Sequence, residues 1–175
     1  MDVIILTKIN DPKNIGTVAV FSALAFVATR FLQIPILQTG GYLNFGEAII
    51  YIAAIFFGPT VGGLVGAIGP ALADITSPYA AFAPFTFVIK GLEGFIVGKI
   101  VSSDKNKVTK ALGVVAGGSV MVIGYFIIEI LIFLIPPPVA LIEVPFNVLQ
   151  FIVGGTIAII ITEKLKKSVD GIMYR

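Results

Sequence analysis

The chain has 175 residues, of which 57% are hydrophobic and 13% charged, with a net charge of +2 and a mean hydropathy of +1.04. Soluble domains average about 45–50% apolar and about 25% charged residues, so the composition excludes an ordinary soluble protein and describes an integral membrane protein. The length suits one domain over residues 1–175, with no room for a soluble catalytic module.

Cysteine and histidine are absent. Their absence rules out disulfides and thiolate metal sites, and removes the commonest metal ligand and proton shuttle. The first fourteen residues, MDVIILTKINDPKN, hold an apolar core of only Val3–Leu6, too little for a cleaved signal peptide. The first long apolar segment is therefore expected to act as the insertion signal and to remain in the protein.

A spanning helix needs about 20 apolar residues, with a range of about 17–25. Segment one, Ile15–Leu32, meets this and carries Arg30 near its end, where the side chain can snorkel. Gln33–Asn44 reads as a loop broken by Pro35 and Gly40-Gly41. Segments two, Phe45–Phe57, and three, Thr60–Asp74, fall short of a comfortable span around Gly58-Pro59, and read as tilted helices or as a re-entrant pair. After a loop at Thr76–Pro84 come segment four, Phe85–Val101, the polar run SSDKNKVTK and segment five, Ala111–Ile135, which Pro136-Pro137-Pro138 is expected to end. Segment six runs from about Val144 to Thr162 and closes on a basic tail. The expectation is an all-α protein of six transmembrane helices.

Charge sets the orientation. With both termini inside, Lys8, Lys13, Lys99, Lys105, Lys107, Lys110, Lys164, Lys166, Lys167 and Arg175 fall on the inner side, leaving Arg30 and Lys90 towards the outside. The excess of inner cations predicts cytoplasmic termini.

With that orientation, every polar group within the apolar segments falls in the outer half: Asn44, Glu47, Asp74, Lys90, Glu93, Glu129, Glu143, Asn147 and Gln150. Ionisable groups at membrane depth are costly, about 2.5–3.5 kcal/mol each on insertion scales, and usually face a functional interior. A proton relay or ion channel would need such groups through the whole thickness. A one-sided distribution instead suits a cavity open to the outside that receives a small polar solute. Lys90 and Glu93, three residues apart, share a helix face, as do Asn147 and Gln150, and Tyr125 and Glu129 at a spacing of four. The two amides are read as ligand contacts. Lys90–Glu93 is balanced between a structural ion pair and direct ligand contact, and Glu47 and Asp74 lean towards caps or interhelical hydrogen bonds. Ala19 and Ala23, and Gly62, Gly66 and Pro70, recur at intervals of four, a spacing that lets helices approach closely in lipid.

No nucleotide-binding G-x-x-x-x-G-K-[ST] pattern, H-E-x-x-H or G-x-S-x-G motif occurs. No catalytic residue is assigned and no nucleic-acid partner is expected; uphill transport would need energy from another protein.

Nearly the whole chain resembles the substrate-binding S components of energy-coupling factor (ECF) transporters, and most closely their riboflavin-type branch, which is also linked to hydroxymethylpyrimidine and pyridoxine. The resemblance is carried by Ala19-x-x-x-Ala23, NFGEAIIYIAAIFFGPTVGGLVGAIGPALADI, FVIKGLEGFIVGKI and VPFNVLQFIVGG. It implies a prokaryotic multi-pass membrane protein that binds a vitamin from outside, with the loop after segment one as a lid and segments four to six as the pocket. It further implies ligand binding by Asn147 and Gln150, with Lys90 and Glu93 at or beside the ligand; Glu129 and Asp74 complete the candidate set. Ala19 and Ala23 would face a transmembrane coupling subunit that is joined to two ATPases. A neutral or weakly basic heteroaromatic ligand is expected, because an acidic pocket offers too few cations to a carboxylate vitamin. Two other readings are a self-sufficient oligomeric carrier and a membrane-embedded lipid-modifying enzyme.

Overall fold

The computed structural model describes residues 12–173. The signal-peptide reading of the extreme N-terminus, together with Lys8 and Arg175, lies outside these residues. Among them, six helices of 12 to 30 residues form one bundle: α1 (Pro12–Arg30), α2 (Gly46–Phe57), α3 (Pro59–Ile75), α4 (Ala83–Val101), α5 (Lys107–Leu131) and α7 (Val144–Met173), with a single turn, α6 (Pro137–Ala140), before the last. The all-α class holds with one addition. The segment read as a loop contains an antiparallel hairpin of β1 (Ile34–Ile36) and β2 (Gly41–Leu43), which pairs Ile34 with Leu43 and Ile36 with Gly41. Its tight turn uses Gly40 at φ 72°, where a side chain would be strained. Strands of three residues are too short to show an alternating pattern in the sequence.

The short second segment has a physical explanation. A 12-residue helix rises about 18 Å, less than a hydrocarbon core of about 30 Å. Yet nine of its residues are buried, including Ile50, Tyr51, Ala53, Ala54 and Ile55, and α2 packs against α1, α3, α4 and α7. It is the core of the bundle, and its neighbours face lipid in its place. Gly58, at φ 85°, turns the chain directly into Pro59 at the start of α3.

Helices α3 and α4 make the most intimate contact, and glycine permits it. A Cβ on Gly66 would lie 2.2 Å from the Lys90 carbonyl oxygen, and one on Gly94 2.2 Å from that of Gly62. The small-residue spacing in segment three is thus internal packing, and it presses the backbone of Lys90 against α3.

Several boundaries differ from expectation: α1 starts at Pro12, and α7 runs to Met173, well past Thr162. Helix α5 starts at Lys107, capped by Asn106 Oδ1 accepting from the Thr109 amide at 2.8 Å, so Lys110 is helical and buried. It ends at Leu131, before the three prolines; Leu134 at φ 54° turns the chain, and Pro137 opens α6. A proline at the first helical position needs no donor, so the run starts a turn of helix and does not stop one.

The alternating direction of the helices gathers the ends of α1, α3 and α5 and the starts of α2, α4 and α7 at the hairpin end. Arg30 donates to the Thr76 carbonyl there at 3.1 Å, while at the opposite end Lys110 meets Glu163 at 2.5 Å and Thr162 at 3.2 Å.

Gly66→Ala should lower bundle stability in detergent by about 1–3 kcal/mol, because the added methyl meets backbone. Gly16→Ala, where nothing lies within 4 Å of the new Cβ, serves as the control and should leave thermal unfolding unchanged or slightly raised.

Candidate functional site

At the centre of the hairpin end lies a buried ion cluster. The Lys90 ammonium contacts Glu47 on α2 and Glu93 Oε2 one turn along α4, the latter at 3.1 Å. Tyr51 donates to the other Glu93 oxygen, and Gln150 Nε2 on α7 donates to Glu47 Oε1 at 2.7 Å. The Tyr125 ring on α5 stands 5.7 Å from the Lys90 nitrogen, a cation–π distance. Helices α2, α4 and α5 thus meet at the ammonium, α7 joins through Glu47, and α3 packs at Gly66 against the Lys90 backbone carbonyl.

Above this cluster is a cavity lined by Gly41, Tyr42, Asn44, Pro70, Asp74, Phe82, Thr86, Lys90, Tyr125, Glu143, Asn147 and Gln150. Its volume at water centres is about 20 Å³, room for a single water. The hairpin is its roof, and three contacts hold the roof down. The Thr39 hydroxyl donates to Glu143 Oε2, the Tyr42 hydroxyl donates to Asp74 Oδ1, and the Asn44 amide donates to Gln150 Oε1 at 2.6 Å. Tyr42 also packs on Tyr79, with ring centroids 4.4 Å apart. Burial, and then the nearby Asp74, push the Tyr42 phenol well above its usual range, so it remains a donor. Gly41 is required where the roof meets α7: a Cβ there would lie 2.4 Å from the Glu143 carboxylate oxygens.

Of the six residues anticipated at the ligand, four line the cavity: Asn147, Gln150, Lys90 and Asp74. Glu93 and Glu129 do not. Glu93 supports Lys90 from behind. Glu129 is buried against the Glu143 carboxyl, and neither of its oxygens meets a donor. The Tyr125–Glu129 pairing is not formed, because the Tyr125 hydroxyl donates to Thr86 Oγ1 at 3.1 Å. Gln150 has both ends of its amide engaged, by Glu47 and by Asn44. Glu47, read as an interhelical contact, makes one. Tyr42, Thr86 and Phe82 also line the cavity without having been anticipated; each sits in a loop or among apolar neighbours where no spacing marks it, and Pro70, marked by its four-residue spacing as packing, lines it too. Glu143, expected only among the outer-half polar groups, lines the cavity as well.

Ala19 and Ala23 lie elsewhere. They line an open apolar groove of about 640 Å³ between α1 and α3, with Val18, Phe26, Leu64 and Ile68.

A helical bundle whose buried carboxyl groups, among the described residues, all lie at one end, roofed by a hairpin, is the architecture of a membrane-embedded solute-binding subunit. Residues 10–167 match the family described as ECF-type riboflavin transporter, S component, and the chain belongs to that family. A Pyrococcus woesei "Uncharacterized protein in gap 3′region" is 41% identical over 143 residues, spanning 79% of this chain and 95% of its own. The thiamine precursor transporter HmpT of Lactococcus lactis subsp. cremoris is 28% identical over 92% of this chain and 94% of its own. The same fold occurs in a solved structure reported under "Structure and mechanism of the S component of a bacterial ECF transporter", with a TM-score of 0.67, 22% identity and coverage of 90% of this chain and 97% of that one. The protein is thus a multi-pass membrane subunit for vitamin transport and not an enzyme, which removes the lipid-modifying alternative.

Lys90→Met should cost about 3–5 kcal/mol, because it leaves Glu47 and Glu93 buried without their cation. Adding Glu47→Gln and Glu93→Gln should restore part of the loss, as read by thermal unfolding in one detergent.

Proposed function

We propose that this S component captures a small heteroaromatic vitamin or vitamin precursor, of the riboflavin, hydroxymethylpyrimidine or pyridoxine class, and that the ligand sits under the hairpin in the cavity above Lys90. The observation that carries this reading is the cavity's lining. Tyr42, Phe82 and Tyr125 offer ring faces, Asn147 and Thr86 offer hydrogen-bonding groups, and Lys90, the one cation of the lining among the described residues, is already neutralised by two carboxylates. Aromatic walls with a few polar groups suit a flat polar ring. A carboxylate vitamin would meet Asp74 and Glu143 with no free cation at the lining. The thiamine-precursor transport named for the Lactococcus relative favours one ring over the three fused rings of riboflavin.

A ring is larger than a cavity of about 20 Å³, so entry requires the hairpin to lift and its contacts to Glu143, Asp74 and Gln150 to open. The hairpin end faces outward and both termini are cytoplasmic. This follows from the positive-inside rule and from Lys99, Lys105, Lys107, Lys110 and Lys164 at the opposite end. Asn147 contacts the ligand, whereas Gln150 ties the hairpin base to the ion cluster as well as lining the site. Ala19 and Ala23 receive a helix of the transmembrane coupling subunit, whose two ATPases supply the energy. An exposed apolar groove floored by small residues suits close approach of a helix in lipid.

Titration of purified protein with a vitamin panel should give tight binding of a single-ring heteroaromatic alcohol, weaker binding of riboflavin and none of biotin. Preferential binding of biotin or pantothenate would overturn the reading. Asn147→Ala should weaken the preferred ligand about tenfold, as expected for the loss of a buried hydrogen bond, with an unchanged elution profile.

Ala19→Trp should leave that affinity unchanged and abolish uptake in cells supplying the coupling subunit and ATPases. Uptake by the protein alone in liposomes would instead establish a self-sufficient carrier.

A further inference from the structure

Five buried carboxyl groups occupy the hairpin end: Glu47, Glu93, Asp74, Glu129 and Glu143. Lys90 accounts for two of them, and Tyr42 donates to a third, Asp74. The remaining two face each other. Glu143 lines the cavity and receives the Thr39 hydroxyl; Glu129, 1% exposed, lies behind it with both oxygens lacking a donor. Two carboxyl groups held together in a water-poor site cannot both remain charged unless donors or positive charge arrive. Among the described residues, no basic side chain other than Lys90 lines the cavity.

We infer that Glu143, backed by Glu129, is the specificity determinant of this cavity, selecting ligands whose ring carries an amino group or a protonated ring nitrogen over those with a carbonyl or hydroxyl there. This rests on the cavity being the vitamin site. An N–H donor aimed at Glu143 adds to the Thr39 hydroxyl and the Asn147 side chain that already meet it, and positive charge on the ring lets the Glu129–Glu143 pair give up the proton it shares. An acceptor in the same place would face carboxylate oxygen at close range. Thr39 makes Glu143 a shared group as well: the wall that reads the ligand is also the wall to which the roof is fastened.

The test compares two probes, a hydroxymethyl aminopyrimidine and its oxo analogue, and reads the ratio of their dissociation constants. That ratio does not depend on the fraction of protein that is folded. The wild-type protein should favour the amino compound by at least tenfold. E143Q replaces one acceptor oxygen with a donor and should bring the ratio close to one. E129Q, which leaves the cavity wall and the Thr39 contact in place, should reduce it at least threefold. T39A should weaken both probes equally and keep the ratio, which separates selection from fastening. A wild-type ratio near one, or a ratio unmoved by either glutamate substitution, overturns the inference while leaving the vitamin site intact. Failure of the wild-type protein to bind either probe, or any other ring of the vitamin panel, overturns the reading of the cavity and the inference with it.

Discussion

A lysine ammonium removed from water must meet opposite charge, or its burial opposes folding by several kcal/mol. Lys90 meets this demand twice, through Glu47 from α2 and Glu93 from its own helix. The requirement propagates outward. Glu47 accepts from Gln150, and Gln150 accepts from Asn44 at the base of the hairpin, so α7 and the roof take their positions from the same charge. Tyr51, fully buried on α2, completes the coordination of Glu93. None of this closes unless α3 and α4 touch through backbone, which is why Gly66 lies against the Lys90 carbonyl. Stability and site are therefore not separable here: the cluster that holds the helices together is also the floor of the cavity.

The roof is built differently from the floor. Besides the Asn44 amide on Gln150, its fastenings are hydroxyl-to-carboxyl contacts: Thr39 in the hairpin turn to Glu143 just before α7, and Tyr42 on β2 to Asp74 near the end of α3. Such contacts can exchange for water or ligand at less cost than stranding a buried charge, because even a hydrogen bond to a charged group contributes only about 1.5–3 kcal/mol net. The floor, by contrast, cannot open without exposing or stranding charge. A rigid floor beneath a weakly fastened roof is what a binding subunit needs if the solute is to enter from one side only. The apolar groove along α1 and α3 lies outside this polar region, so contact with another membrane subunit there need not disturb the ligand site directly.

Much of this was legible before any coordinates. Hydropathy marks the helices, the i,i+3 spacing marks Lys90 with Glu93, and the gathering of the buried carboxyl groups at one end follows from their places along the alternating segments. Other features were hidden for physical reasons. Glu47 and Lys90 are 43 positions apart, and Gln150 and Asn44 are 106 apart; helical spacing reports neighbours within one element and says nothing of partners across the bundle. The hairpin strands are shorter than any alternation can reveal, so Tyr42 sat in what read as loop. The two amides of α7 share a face as their spacing implies, and both line the cavity, but only the fold shows that Gln150 has both ends of its amide engaged by Glu47 and Asn44. The prolines after α5 misled because proline both stops helices and starts them, and here Leu134 had already turned the chain.

The absence of cysteine allows a direct measurement of whether a ligand is received beneath the hairpin. Spin labels placed at Leu37 on the hairpin turn and Leu134 after α5, which are 90% and 80% exposed, report the distance across the mouth of the cavity by pulsed electron resonance. A broad distribution that narrows to a single short distance when the preferred heteroaromatic ligand is added agrees with a roof that lifts for entry and closes over its cargo. A distribution that stays the same while the ligand demonstrably binds would contradict it, and would put the binding site somewhere other than under the hairpin.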